Sequence, residues 1–377
     1  MLFRSYTRIT NPTQAAVEDR IAALEGGAAG LLLASGQSAI TLSILNLAGA
    51  GDSIAVSPSL YGGSFNLFKH TLSRLGITAQ WVEDPTDPAS WRAAADETTR
   101  AFFVESIPNP KQDIPDLRAI ADVAHEVGVP LIVDNTVATP FLLRPLEHGA
   151  DIVVHSATKF LGGHGTSLGG VIVEGGKFDW RASGKFPLLA DPDPSYHGLS
   201  FADACGAAAF CTRIRAVLLR DTGAVLSPFD AFLLLQGLET LSLRVERHVQ
   251  NALRVVEFLN NHPAIAHVNH PSLPDSPTHA LYQQYFPQGG GSIFTAELKG
   301  GREAAEKFMN HLELAAIVTH VADTRTCVLH PASTTHRQLS DKELTECGVT
   351  PDMIRFSVGI ENVEDILADI EQALASL

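Results

Sequence analysis

The chain is short of basic residues: 27 Lys and Arg stand against 42 Asp and Glu in 377 residues, a formal net charge of −15 at pH 7. A surface that tracks phosphates needs clustered Lys and Arg, so nucleic-acid binding is excluded as a main function. Acidity of this size keeps a protein in solution and says little more. Cysteine is scarce too. Cys205, Cys211, Cys327 and Cys347 form no Cys-x-x-Cys pair and show no zinc spacing, and free thiols in a reducing cytosol are the simplest reading. Every long apolar stretch is broken by Gly or a polar residue before it reaches membrane-spanning length. The opening residues Met1-Leu2-Phe3-Arg4-Ser5-Tyr6 lack the apolar core of a signal peptide. A cytoplasmic location with no membrane partner is expected.

Other signals are missing as well. There is no internal repeat, low-complexity tract or charge run. No Gly-x-Gly-x-x-Gly follows a first strand, and Gly175-Gly176-Lys177-Phe178 lacks both the upstream glycine spacing and the hydroxyl of a P-loop. Gly289-Gly290-Gly291 leads into a strand and reads as a turn. The fifteen histidines are scattered; His155 and His164 flank Lys159, but no carboxylate set completes a metal site there, and no metal is expected.

What is present is an ordinary globular composition, 45% apolar and 18% charged, in a chain long enough for two domains. Between 14 and 200, helical and strand patterns alternate. Helices are expected at 14–25, 37–47, 65–75 and 117–127, and strands at 53–56, 78–82, 101–105 and 131–134. This rhythm implies an α/β fold with a mostly parallel sheet and helices on both faces. The stretch 183–196 turns Pro-rich and irregular, either as a loop over a site or as a surface excursion. Long helical patterns at 229–243 and 245–260 mark a domain boundary. The division expected is a short lead-in 1–13, a large domain 14–244 and a smaller α/β domain 245–377. The last holds strands near 292–298 and 354–358 and ends in an amphipathic helix at 362–377, with Val363, Ile366, Leu367 and Ile370 on one face.

The most informative pair is Asp134 and Lys159, twenty-five positions apart. The apolar segment 130–133 reads as a buried parallel strand that delivers Asp134 at its carboxyl end. The segment 151–154 delivers Ser156, Thr158 and Lys159 in the same way. Ligands of open α/β sheets bind outside the carboxyl ends of the strands. An amine for a Schiff base, an acid for a pyridinium nitrogen and two hydroxyls for a phosphate suit pyridoxal phosphate. A loop-capping acid, or a helix start with its own cap, explains either motif taken alone; their coincidence favours the cofactor.

Four further segments join them. Ser35-Gly36-Gln37 opens a helix after an apolar run, with Gly36 allowing close backbone approach and free N–H groups available to an anion; many ordinary helices start the same way. Tyr61, beside Gly62-Gly63, reads as a ring-stacking face or as a plain turn residue. Asn109, in Glu105-Ser106-Ile107-Pro108-Asn109-Pro110, is able to bond a phenolic oxygen from a loop its prolines hold rigid. Arg355 alternates with apolar residues in a strand, as a salt-bridge partner or as a bidentate clamp on a substrate carboxylate.

From Tyr6 to the C-terminus the chain resembles the Cys/Met-metabolism family of pyridoxal-phosphate enzymes, of fold type I. The runs that carry this are Tyr6-Thr7-Arg8-Ile9-Thr10-Asn11-Pro12-Thr13, Val133-Asp134-Asn135-Thr136-Val137-Ala138-Thr139-Pro140 and His155-Ser156-Ala157-Thr158-Lys159. The runs from Ser227 to Thr240 and from His330 to His336 favour its sulfhydrylase branch over the cystathionine lyases. The resemblance implies a seven-stranded, mostly parallel sheet in the large domain. It implies a catalytic set of Lys159, Tyr61 and Asp134: the Schiff-base lysine, the residue stacked on the ring and the pyridinium partner. Ser35, Gly36, Gln37, Thr136, Ser156 and Thr158 would join the cofactor site, most of them at the phosphate, with Asn109 at the phenolic oxygen and Arg355 at the substrate's α-carboxylate. Tyr6 and Arg8 would reach the phosphate in a neighbouring subunit, giving a homotetramer, a dimer of dimers with shared sites.

The activity so implied belongs to methionine biosynthesis and trans-sulfuration. It is γ-replacement on O-acetyl-L-homoserine by sulfide or a small thiol, giving homocysteine or methionine plus acetate. Methionine γ-lyase-like elimination, a cystathionine γ-synthase-like reaction and a weakened paralogue serving as a partner subunit are the alternatives. Two departures from the family pattern stand out. Relatives carry a few dozen residues ahead of the Tyr-x-Arg motif, which here almost abuts Met1. They also carry an Asn-Leu-Gly-Asp-like run where this chain has His320-Val321-Ala322-Asp323.

Overall fold

The structure, a computed structural model, describes residues 6–109, 112–334 and 349–377. Positions 1–5 of the lead-in, Pro110, Thr335, His336 and Cys347 lie outside the described residues. The chain divides into two units, one of 1–106, 115–162 and 166–239, the other of 107–114, 163–165 and 240–377.

In the first unit, Asn11 caps α1 (Pro12–Glu25) by accepting the N–H of Thr13 at 2.9 Å, and Gly26 closes the helix in the left-handed conformation, φ 74°. An apolar run then gives β1 (Ala29–Leu33), and Ser35 caps α2 (Gly36–Leu45). The remaining strands are β2 (Ser53–Val56), β3 (Thr78–Trp81), β4 (Thr99–Glu105), β5 (Leu131–Asp134), β6 (Ile152–Ser156) and β7 (Gly170–Glu174), with α3 (Leu117–Glu126) between β4 and β5. They form one seven-stranded sheet in the order β1-β7-β6-β5-β4-β2-β3. Every neighbouring pair is parallel except the two that involve β7. The mostly parallel sheet expected from the alternation is therefore present.

β7 is not among the expected strands. Its five residues are all buried, between the glycine pairs Gly169-Gly170 and Gly175-Gly176. A parallel neighbour would need a crossover, usually a helix. The connection 157–169 contains none, so the chain returns antiparallel. The single helix expected at 65–75 is three pieces: an α-turn at Gly62–Asn66, a π-turn at Leu67–Thr71 and a 3₁₀-turn at Leu72–Leu75. Phe65 is anchored on Trp81 of β3 and Phe68 on Phe103 of β4, with ring centroids 4.8 and 4.9 Å apart, and the backbone bonding adjusts around those two anchors. The long pattern at 229–243 is also two helices, α4 (Pro228–Glu239) and α5 (Leu241–Asn260), parted at Thr240. Apolar spacing runs through the break because both helices bury a face. Within 183–196 lie short helical turns at Pro187–Ala190 and Pro194–Tyr196, and 201–222 is a further, unexpected series of helical turns.

The second unit is built on a five-stranded sheet of β8 (Ile265–Asn269), β9 (Ile293–Leu298), β10 (Ala316–Ile317), β11 (Cys327–Leu329) and β12 (Met353–Ser357), in the order β10-β11-β12-β9-β8. α5, α6 (Gly301–His311) and α7 (Val363–Leu374) supply the rest of its core. There Leu259, Phe294, Phe308, Phe356, Ile366 and Ile370 are all buried, and the rings of Phe294 and Phe356 stack at 5.3 Å. Each such side chain contributes about 1.5–3 kcal/mol. β9, β12 and α7 match expectation to within a few residues; β8, β10, β11 and α6 were not expected. On α7, Ile366 and Ile370 are buried while Val363 and Leu367 are half-buried.

Candidate active site

The carboxyl ends of β1, β6, β5, β4 and β2 lie along one edge of the large sheet, with the amino end of β7 between β1 and β6. Register makes this specific. Gly170 stands opposite both Leu33 and Ser156, Asp134 opposite Val154, and Glu105 opposite Asp134. Side chains cannot be added freely here. A Cβ on Gly170 would overlap the Ser35 carbonyl oxygen, and a Cβ on Gly36 would stand 2.7 Å from Ser156 Cβ. The two glycines thus let the start of α2 sit directly on the end of β6.

Thr136 joins the next two strands. Its hydroxyl donates to Asp134 Oδ1 at 2.5 Å and accepts the N–H of Ser156 at 2.8 Å, while its own N–H donates to the same Oδ1 at 3.0 Å. Asp134 Oδ2 accepts no hydrogen bond among the described residues. Burial pushes the Asp134 carboxyl above the usual carboxylate range, against the Thr136 bonds and the His155 charge that pull it down. Beyond Ser156 the chain turns, Lys159 N–H donating to Ser156 O at 3.1 Å and Gly169 N–H to the Thr158 hydroxyl at 3.1 Å. α4 lies against this turn because Gly237 has no side chain: a Cβ would stand 2.5 Å from the carbonyl oxygens of Leu161 and Gly162.

The N–H groups of Gly36 and Gln37 donate to nothing among the described residues, and neither does the Ser156 hydroxyl beside them. Three donors at the N-terminus of a ten-residue helix make a cradle suited to an anion. Tyr61 stands next to it. Its N–H donates to Glu105 Oε1 at 2.7 Å, its ring covers Gly63 beside the Gln37 amide, and the residue is 54% exposed.

Tyr6 and Arg8 belong to the same unit and touch each other, the Arg8 guanidinium 5.1 Å from the centre of the Tyr6 ring. The lead-in also has holders in its own chain: Arg8 donates to the Arg220 carbonyl and Arg215 to the Ile9 carbonyl. Asn109 and Arg355 fall in the second unit. Asn109 Oδ1 is buried without a hydrogen-bond partner among the described residues. Arg355, in β12, donates to the Thr319 carbonyl at 2.9 Å. In the altered run nearby in sequence, Ala322 adopts φ 65°, the left-handed region a glycine would favour, and its N–H donates to Ser357 Oγ at 2.8 Å.

Two acids at this edge stand outside the expected residues. Glu105 ends an apolar strand just as Asp134 does, and that parallel was a usable signal. Glu25 ends α1 and is wholly buried, bonded to the residues that flank Asp134 and Ser156 in sequence; nothing local in the sequence marks it. Among the described residues, no helix is long and apolar enough to cross a membrane, and no group of three or more His, Cys, Asp or Glu is placed to hold a metal ion.

The sequence model of the Cys/Met metabolism PLP-dependent enzymes matches residues 3–375. The chain belongs to this family. Among similar proteins in it are an O-acetyl-L-homoserine sulfhydrylase of Leptospira meyeri, 50% identical over 99% of this chain and 86% of its own length, and another of Corynebacterium glutamicum, 51% identical with the same coverage. A crystal structure assigned to an O-acetylhomoserine (thiol)-lyase of Campylobacter jejuni superposes with a TM-score of 0.94. It is 41% identical over 98% of this chain and 88% of that one, and it carries an N'-pyridoxyl-lysine-5'-monophosphate residue. The chain is thus a pyridoxal-phosphate enzyme of fold type I, and the open Oδ2 of Asp134 and the donor cradle at α2 fit the two ends of that cofactor.

Proposed function

We propose that the protein catalyses γ-replacement on O-acetyl-L-homoserine, sulfide or a small thiol displacing acetate to give homocysteine or methionine. The observation that carries the substrate choice is the identity of about one half, over nearly the whole chain, to proteins named for that reaction. When bound, pyridoxal phosphate supplies an aldehyde that takes the substrate's amine and a ring that accepts the electrons released at the α-carbon.

The chain's own residues take the remaining roles. Lys159 holds the cofactor at rest; released, its amine takes the α-proton and then moves a proton at the β-carbon, working as general base. Asp134 turns its open oxygen to the pyridinium nitrogen, whose positive charge brings the raised carboxyl back down. The N–H groups of Gly36 and Gln37 and the hydroxyls of Ser156 and Thr158 hold the phosphate, with Ser35 and Thr136 fixing the strand and helix ends that present them. Tyr61 covers the ring and Asn109 offers its amide to the phenolic oxygen. Arg355 clamps the substrate's carboxylate. Tyr6 and Arg8 complete the phosphate site of a second copy in a homo-oligomer. The division into a lead-in 1–13, a cofactor-binding body 14–244 and a smaller domain 245–377 is part of the same reading. So is a cytoplasmic location, which the three described cysteines, all free thiols, suit.

The test is a panel that pairs acetyl- and succinyl-homoserine with sulfide and methanethiol, run on protein whose cofactor linkage has been mapped by borohydride reduction. The label is expected on Lys159, and homocysteine plus acetate is expected from the acetyl ester and sulfide. A label on another lysine sinks the site assignment. Release of an α-keto acid and ammonia instead would make the enzyme an eliminating lyase, and cofactor binding without any turnover would make it a partner subunit.

A further inference from the structure

The helical series 201–222 carries two holds on the lead-in, and they differ in kind. Arg8 donates to the Arg220 carbonyl, a hold open to exchange for a better acceptor. The other hold does not involve Arg8. Arg215 Nη1 donates to the Ile9 carbonyl at 3.0 Å, and Arg215 Nη2 meets Glu18 Oε2 at 2.7 Å. Glu18 stands on α1, and its other oxygen accepts the Leu32 N–H of β1 at 2.9 Å. The two side chains are largely out of water, 19% exposed for Arg215 and 8% for Glu18. One planar guanidinium thus joins the main chain just after Arg8 to an acid that is itself fastened to the sheet.

The lead-in is shaped to use this point. The N–H groups of Ile9 and Thr10 both donate to the Tyr6 carbonyl, at 3.0 and 3.1 Å, and Asn11 Nδ2 donates to the Thr7 hydroxyl at 3.2 Å. Residues 6–11 are therefore a closed turn that keeps the Tyr6 ring and the Arg8 guanidinium together. A terminal segment of this kind frays unless tied down. No residue of 6–11 is fully buried, so apolar packing is not the main tie. Packing would secure the segment. A directional bond at Ile9 also fixes which way its neighbour Arg8 leaves the body. Arg215 itself lies in the π-turn Ile214–Leu219, a helix irregularity found frequently at functional sites.

We propose that Arg215, held by Glu18, aims Tyr6 and Arg8 into the cofactor site of a second copy of the chain. Arg215 and Glu18 are positioning residues, and both act through the lead-in. The inference rests on the reading that Tyr6 and Arg8 reach a partner's phosphate. It adds a direction: damage to the pair in one chain falls on the other chain's site.

The test variant is Glu18→Gln with Arg215→Met. Gln keeps an acceptor for the Leu32 N–H, Met keeps most of the arginine stem, and no unpaired charge is left inside. Alone, this protein should bind pyridoxal phosphate about tenfold more weakly and lose about tenfold in kcat/KM, the worth of one charge-assisted bond at the phosphate. A lowered melting temperature with wild-type kinetics and cofactor affinity overturns the proposal and makes the pair a fastening only. The variant is then mixed under exchange conditions with an excess of Lys159→Ala chains, which are inactive but carry the intact pair. Each Lys159 now faces a lead-in from an unaltered chain, and activity per Lys159 should return to the wild-type level. Activity that stays at the variant's own level in proven mixed oligomers overturns the proposal, because the pair then serves its own chain. Arg8→Ala chains mixed with the same excess are the control. Recovery there without recovery of the variant removes this inference and leaves the shared site standing; no recovery of either removes the shared site and the inference with it. Should the double variant fold poorly, Arg215→Lys keeps a charge for Glu18 and loses the fork that also reaches Ile9, and the same recovery is expected of it.

Discussion

At Asp134, one carboxylate oxygen is saturated by Thr136 and the other is open, so the residue is held in place yet still has a charge to spend. Replacement by Asn keeps the shape and a carbonyl oxygen for the Thr136 bonds, and removes the charge. We expect Asp134→Asn to stay folded and to retain some cofactor. A charge-assisted bond worth about 3 kcal/mol would be lost, which is on the order of a hundredfold in kcat/KM. Steady-state kinetics corrected for cofactor content decide it, and unchanged turnover would demote Asp134 to a loop residue. The positions of Asp134 and Lys159 were legible because each follows an apolar run whose only way to be buried is as an inner strand. Glu25 was not legible. An acid ahead of Gly26-Gly27 reads as the wet end of a helix, and its partners stand 110 and 130 residues away. Ala322 is a case between the two: the sequence singled out its run, and its backbone adopts the left-handed conformation that a glycine favours.

Among the elements, β7 repays most thought. Its last residue, Glu174, is buried and accepts the N–H groups of Phe210 and Cys211, each at 3.0 Å, so the strand is tied to the helical turn Ala209–Arg213. Burial, opposed by those two N–H bonds and by a Trp180 hydrogen bond, raises its carboxyl from 4.5 to about 7. The folded chain therefore keeps a proton that the unfolded chain releases between those two values. The stability this group contributes is full below pH 4.5 and is lost as pH rises to about 7, by up to about 3 kcal/mol. The difference in denaturation midpoint between wild type and Glu174→Gln, followed from pH 5 to 8, should move in favour of the Gln variant as pH rises. A constant difference would mean that Glu174 is ionised throughout. The strand itself was hidden by its glycines, which look like loop punctuation, and its direction depends on a connection without a helix. Periodicity found β2, β4 and β5 readily, because buried parallel strands are unbroken apolar runs. It was blind to the break at Thr240 for the opposite reason, an apolar face that continues across it.

For the molecule as an assembly, the question is whether one chain completes another's site. Tyr6 is 57% exposed, and among the described residues Arg8 is engaged by an exposed ring and a carbonyl of its own chain, partners that a phosphate would outbid by a bidentate, charge-assisted pair. Arg8→Ala and Lys159→Ala chains should each be inactive alone. Mixed under exchange conditions, they should regain part of the activity, because some sites then hold both residues intact. Mixed oligomers with no recovered activity would show that each chain builds its site unaided. The sheet poses a separate demand before any assembly begins. β1 sits at its edge and, among the described residues, pairs only with β7. As the chain leaves the ribosome, Leu31, Leu32 and Leu33 emerge roughly 140 residues ahead of the strand that shelters them, a wait on the order of ten seconds at about 5–20 residues per second. For that interval a sticky hydrophobic strand has no partner, so the nascent protein is a natural client for chaperones at the tunnel exit, and a slow codon between the two strands would lengthen its exposure.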